Sequence, residues 1–227
     1  MDMDKGIQIA IDGPAAAGKS TIAKITATKL GYTYIDTGAM YRALTYKALE
    51  EHIDVYDDDA LTRLLERIVI ELTPTEEGQI VRVDGEDITE AIRSQEVTSN
   101  VSATAAQPHV RELMVEKQRL LANSKGVVMD GRDIGTAVLP NAELKIFMTA
   151  SVEERAERRF AENTKRGINR SMDELCQDIA DRDKADTERI ASPLKQASDA
   201  IFIDTTSMSI EQVADEIIQH AEERKRP

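Results

Sequence analysis

The chain has 227 residues, 41% of them hydrophobic, and a formal net charge of −13. That length holds one large domain or one domain carrying an insert, and the acidic balance argues against a nucleic-acid partner, which needs a basic face to release phosphate counterions. No apolar run approaches the roughly 18 residues that span a bilayer, Met1-Asp2-Met3-Asp4-Lys5 lacks the basic-then-apolar order of a secretory leader, and the lone Cys176 builds neither a disulfide framework nor a thiolate metal cluster, so the expectation is a cytoplasmic protein with no membrane partner.

Ile7 to Asp12 reads as a buried strand, and Gly13-Pro14-Ala15-Ala16-Ala17-Gly18-Lys19-Ser20-Thr21 follows it and opens a helix. The spacing G-x-x-x-x-G-K-S in a strand–turn–helix context is a phosphate-binding loop. Its consecutive backbone N–H groups and the helix N-terminus cradle an anion. Lys19 is placed to reach the β- and γ-phosphates, and the Ser20 hydroxyl to sit on Mg²⁺. The helix runs from about Lys19 to Leu30, with Gly31 as its C-terminal cap. Tyr34-Ile35 is a short strand, Asp36-Thr37-Gly38 its turn, and Ala39 to Glu51 a helix bearing Arg42.

From Ile68 to Pro108 the rhythm changes. Ile68–Leu72 and Ile80–Val83 read as strands, Asp84-Gly85 as a hairpin turn and Asp87-Ile88-Thr89 as a further strand, which together suggest a small antiparallel sheet inserted into the domain. Polar helices follow, and Pro108 suits the first turn of a helix running to about Asn123. Val127-Val128-Met129, Leu144–Met148 and Ala200–Ile203 complete five short apolar strands separated by helices, the pattern of a parallel sheet covered on both faces. Ser151/Glu154, Ser171/Glu174 and Ser209/Gln212 have capping-box spacing. The last residues, Glu222 to Pro227, read as a charged tail that frays.

Asp130-Gly131-Arg132-Asp133 ends a buried strand at the carboxyl edge of the sheet, where open α/β sheets bind ligands. Arg42 lies at the same edge and is a phosphate-clamp candidate, the competing reading being a solvated helix arginine. Arg155, Arg158 and Arg159 share a helix, with Arg166 just beyond, while Arg182, Asp186 and Arg189 fall at i, i+4 and i+7 as one stripe on one helix. Taken singly, such charges mark solvated faces or surface ion-pair ladders. Gathered around one phosphate loop, they suit a reaction whose donor and acceptor both carry phosphate. The histidines His52, His109 and His220 show no metal-ligand spacing.

These motifs resemble the bacterial cytidylate kinases along essentially the whole chain. The resemblance lies in GPAAAGKST, IDTGAMYR, the insert, DGRDIGT (Asp130–Thr136), LKIFMTAS (Leu144–Ser151), ERAERR and DRDKADTERIASPL (Asp181–Leu194). It implies an α/β fold of the P-loop NTPase kind. The core would be residues 1–67 and 109–227, with a five-stranded parallel sheet flanked by helices; the nucleoside-monophosphate-binding insert would be about 68–108, and a short helical lid 155–170. It implies transfer of the γ-phosphoryl group of ATP to CMP or dCMP with Mg²⁺, by a monomer. ATP would lie on Gly13 to Thr21. The acceptor contacts carried over are Thr37, Arg42, Ser102, Arg111, Arg132, Asp133, Arg182, Asp186 and Arg189, with Arg182 and Asp186 on the ribose and Arg42, Arg132 and Arg189 on the phosphate. Lys19, Arg132, Arg189 and a lid arginine, Arg155 or Arg159, would act in catalysis. Ser20 would hold Mg²⁺, with Asp36 or Asp130 orienting its waters. Alternatives are another small-molecule kinase, for UMP, AMP or shikimate, and a nucleotide-dependent switch; a guanine-specificity motif N-K-x-D is lacking.

Overall fold

The computed structural model describes residues 6–75, 78–123, 126–165 and 167–225. Five strands, β1 (Gln8–Asp12), β2 (Thr33–Asp36), β6 (Val127–Gly131), β7 (Leu144–Thr149) and β8 (Ile201–Asp204), form a parallel sheet in the order β2-β6-β1-β7-β8. Strand β1 is central, with Ile9 opposite Val128 on one side and Leu144 on the other. Ile9, Ala10 and Ile11 are completely buried, as expected of a strand covered on both faces.

On one face α1 (Lys19–Leu30) and α8 (Ile210–Lys225) pack Ile22, Ala23 and Ala27 with Val213, Ile217 and Ile203. On the other, Ala10, Ile35 and Met129 meet Ile134 and Val138 of a single π-helical turn, Ile134–Val138, that follows β6. A separate core gathers α2 (Thr37–Glu50), α3 (Asp58–Arg67) and α5 (Pro108–Leu121) with the antiparallel sheet β3 (Ile70–Thr75), β4 (Gly78–Val83) and β5 (Glu86–Asp87) and with α4 (Gln95–Thr104). Helices α6 (Val152–Lys165) and α7 (Met172–Glu188) pair over a small cluster of Ala156, Leu175 and Ile179. No helix among the described residues is long and apolar enough to cross a membrane.

Several local expectations change. Helix α2 begins at Thr37 rather than Ala39, because Asp36 is its N-cap and its side chain accepts from the Ala39 N–H at 2.9 Å. Helix α3 was not foreseen. The first insert strand starts at Ile70, since Ile68 caps α3, and the last ends at Asp87. Ser171/Glu174 and Ser209/Gln212 form reciprocal boxes, but Ser151 gives its N–H to Thr206 Oγ1, leaving only the Glu154 N–H to Ser151 Oγ half. Arg189 is the C-cap of α7, extended at ψ 145°, and so leaves the helical stripe of Arg182 and Asp186. The C-terminal residues do not fray as far as Lys225: α8 continues to it, and its ammonium lies over the Tyr32 ring at 5.0 Å. Met1 to Lys5, Arg166, Arg226 and Pro227 lie outside the described residues.

Candidate active site

A cleft of about 580 Å³ opens at the carboxyl ends of β1, β2 and β6. Its floor is Ala15 to Ile22, the phosphate loop and the first turn of α1, while Gly13 and Pro14 at the start of the loop do not line it. Gly13 is required there: at φ 153° its backbone passes so close to β7 that a Cβ would sit 2.0 Å from the Met148 carbonyl. Gly18, left-handed at φ 85°, caps α1. Lys19, the first residue of α1, reaches back across the loop and donates to Pro14 O at 2.7 Å. Burial, reinforced by Arg132 and Arg182, lowers its pKa to about 7 despite Asp130 and Asp12.

Asp130, at the end of β6, accepts from Ser20 Oγ at 2.8 Å and from the Tyr34 hydroxyl at 2.9 Å. Burial and the neighbouring Asp36 carboxylate push it up to about 6. Asp12 lies one residue before the loop, and its two oxygens accept the N–H groups of Ile134 (2.8 Å) and Gly135 (2.7 Å). It thereby ties the root of the phosphate loop to the turn that carries Arg132 and Asp133. Burial outweighs those bonds and raises it to about 7.

Helix α6 supplies three arginines at helical spacing, and the structure gives them different surroundings. Arg155 is buried and committed: Nη1 donates to Ala15 O (3.0 Å), Nε to Ala150 O (3.0 Å), and Nη2 pairs with Asp183 (2.6 Å). It does not line the cleft, whereas Arg158 and Arg159 do. Arg158 donates to Ala17 O at 3.3 Å and Thr205 O at 3.0 Å. Arg158 was passed over by the resemblance, and its helical spacing was the only available signal.

The other half of the cleft is cationic. Arg42 on α2, Arg132 after β6, Arg159, and Arg182 on α7 crowd together, and Asp186 and Asp36 offset only part of that charge. Burial, Arg132 and Arg42 lower Arg182 to about 9. Arg132 is held the other way: burial lowers it, but Asp186, which accepts from its Nε at 2.8 Å, together with Asp130 and Asp183 outweighs burial and keeps it above the ordinary guanidinium value. The Arg182 Nε and Arg189 Nη2 are buried without a hydrogen-bond partner among the described residues. Mutually repelling guanidiniums with unanswered donors are arranged for an anion.

Beyond them Arg111 of α5 is 2% exposed and Asp133 4%. Arg111 Nη2 pairs with Asp133 Oδ2, Nη1 donates to Ala105 O at 2.8 Å, and the guanidinium lies over the Tyr41 ring at 5.3 Å. Asp133 Oδ1 faces Arg189 Nη2 at 4.0 Å. Ser102 of α4 lines the same end, and Thr37 Oγ1 donates to Asp130 O at 2.7 Å. Tyr41, absent from the expected set, brings a buried hydroxyl without a hydrogen-bond partner among the described residues. At the opposite end Thr205, Met208, Ser209 and Ile210 line the cleft beside the phosphate loop; of these only Ser209 carried a sequence signal, and that was a helix cap rather than a site. The structure thus brings Lys19, Ser20, Asp36, Thr37, Arg42, Ser102, Arg111, Arg132, Asp133, Arg159, Arg182, Asp186 and Arg189 around one cleft and leaves Arg155 behind it.

Comparison with solved structures supports the architecture. A shikimate kinase from Acinetobacter baumannii in complex with shikimate superposes with a TM-score of 0.50 at 16% identity, over 99% of this chain and 97% of its own. Among curated proteins, the cytidylate kinase of Bacillus subtilis is 58% identical over 99% of this chain and 100% of its own length, and that of a Geobacillus species is 60% identical over 98% and 99%. The family model described as cytidylate kinase matches residues 9–223. With the phosphate loop, the cationic cleft and these matches together, the chain belongs to the cytidylate kinase family.

Proposed function

We propose that the protein transfers the γ-phosphoryl group of ATP to CMP or dCMP, giving ADP and CDP or dCDP. The observation that carries this is the single cleft running from the phosphate loop, through the cluster of Arg42, Arg132, Arg159 and Arg182, to the paired Arg111 and Asp133. ATP lies on Gly13 to Thr21, and the loop amides and Lys19 hold its phosphates. The acceptor phosphate meets Arg42, Arg132 and Arg189; Arg182 and Asp186 take the ribose; Ser102, Arg111 and Asp133 read the base, with the Asp133 carboxylate accepting from the cytosine amino group. Uracil would set a carbonyl against that carboxylate. Residues 68–108 act as the acceptor-binding insert and 155–170 as a lid over the donor.

The acceptor phosphate has a second pKa of about 6, so near neutrality its attacking oxygen is already anionic and no protein base is needed. The protein aligns acceptor oxygen, γ-phosphorus and leaving oxygen, and neutralises the charge that spreads over the transferring group with Lys19, Arg132, Arg189 and Arg159. Arg159 takes the lid role because Arg155 is tied to the back of the phosphate loop. The residues present fit a Mg²⁺ that brings phosphate and water oxygens with it: Ser20 Oγ lies beside Asp130, and the Asp36 and Asp130 carboxylates repel each other in the absence of a cation. Ser20 would bind it, and Asp36 and Asp130 would hold its waters. When bound, it supplies positive charge to the β- and γ-phosphate oxygens.

The test is a coupled assay of purified protein with ATP and CMP, dCMP, UMP, AMP or shikimate. A kcat/KM for CMP at least about a hundredfold above that for UMP is expected. Equal use of UMP or shikimate would overturn the reading.

A further inference from the structure

We propose that Gln79, in the inserted sheet, is a positioning residue for the acceptor site; the proposal rests on the acceptor reading above. Among the described residues strand β2 is an edge strand, paired only with β6, so backbone groups on its outer side lack a ladder partner. Gln79 Nε2 donates to Tyr34 O at 3.0 Å, and its Oε1 accepts the Asp36 N–H at 3.4 Å. These two groups flank Ile35 and are the pair that a neighbouring parallel strand would engage. One carboxamide from the insert thus substitutes for a sixth strand at the very end of β2.

A second contact fixes the approach. Gly78, where β4 begins, has φ 150°, and a Cβ there would lie 2.5 Å from Lys24 Nζ of α1. The first residues of β4, Gly78 and Gln79, therefore sit against the helix that starts at the phosphate loop as well as against β2. Gly78 lies beside the end of that lysine side chain, and Gln79, the next residue, makes the polar attachment.

The attachment acts on residues that face the acceptor. Asp36, whose N–H the clamp holds, is the N-cap of α2. Thr37 fastens the first turn to Asp130 O, and Tyr41 and Arg42 extend from the same helix into the cleft. Gln79 itself does not line the cleft. Its effect is exerted through the orientation of the Asp36–Arg42 segment. Freeing that segment makes acceptor binding bear an ordering cost that the clamp otherwise meets during folding. The donor loop is held separately by Arg155 and Arg158 and is left unaffected.

The experiment compares the parent with Gln79→Met, which keeps the side chain's length and removes both polar atoms, and Gln79→Glu, which retains only the acceptor at neutral pH. Gln79→Met should raise KM for CMP about three- to tenfold, the scale of a lost net hydrogen bond. Its kcat at saturating CMP and its KM for ATP should stay within twofold, and the Asp36 amide should exchange with solvent faster. A purely structural role would instead lower thermal stability without splitting the two KM values. Gln79→Glu should raise KM for CMP as well, and it provides the reading if Gln79→Met does not fold. A folded Gln79→Met with unchanged KM for CMP, or with KM for ATP and CMP raised equally, overturns the clamp. Turnover of CMP by the parent checks the acceptor assignment separately.

Discussion

Replacing Arg111 separates what the buried pair does for the fold from what it does for the base. Arg111→Met leaves the Asp133 carboxylate, 4% exposed, with only Arg189 Nη2 at 4.0 Å and no hydrogen-bonded cation among the described residues. Two unit charges about 4 Å apart interact by roughly 4 kcal/mol at an effective dielectric of about 20. Stripping one partner from a buried pair costs about 3–5 kcal/mol, and the Arg189 contact returns part of this, so a loss of about 3 kcal/mol is expected. Adding Asp133→Leu removes the stranded charge, and a buried pair replaced by apolar side chains is often neutral or better. The double variant should therefore return to within about 1 kcal/mol of the parent. Its base preference should not return: the CMP-over-UMP ratio of kcat/KM, about a hundredfold in the parent, should fall below about tenfold in both variants. Because the chain has no tryptophan, urea unfolding is best followed by circular dichroism, with coupled assays for CMP and UMP run beside it. A stable double variant that kept the hundredfold preference would refute the assignment of base reading to this pair. A single variant as stable as the parent would refute the energetic argument.

Lys19→Ala should cut kcat by at least about a hundredfold, because it removes charge delivered to the transferring phosphoryl group; a folded variant turning over normally would sink the phosphate-loop assignment. Asp12 makes stability depend on pH in a definite direction. Its folded value, raised to about 7, lies above that of an unfolded aspartate, so its contribution is complete in acid and is lost as pH rises through 7. Between pH 5.5 and 8 that loss is about 2 kcal/mol, and Asp12→Asn, which does not titrate, should gain that much relative to the parent over the same interval. A parent-to-variant difference in unfolding free energy that stays constant across those pH values would contradict it.

The strand and turn at the phosphate loop were legible because binding phosphate with backbone amides leaves few acceptable residue choices at Gly13, Gly18 and Lys19. The parallel sheet was equally legible in its short apolar strands. Helical spacing, by contrast, places Arg155, Arg158 and Arg159 near one another but does not say which guanidinium turns toward the loop's back and which toward its mouth. That is decided by Asp183 and by the carbonyls of Ala15 and Ala17, which come from distant segments. Arg189 left its expected stripe for a similar reason. Asp186 O accepts the Leu194 N–H and Arg189 Nε donates to Ser192 O, so a tertiary turn ended the helix that spacing alone would have continued. Ser151's incomplete box was lost to Thr206, and Gln79 carries no motif at all, since its partners are backbone atoms that any residue at positions 34 and 36 supplies.

The bonds from Arg155 and Arg158 to Ala15 O and Ala17 O have a mechanical side. The first two turns of α6 are riveted to the underside of the phosphate loop and travel with it. Of the apolar cluster between α6 and α7, α6 supplies only Val152 and Ala156, both before Arg158. If the 155–170 segment closes as a lid, these bonds put its pivot inside α6 after Arg158, so that Arg159 moves while the loop that receives the donor keeps its shape.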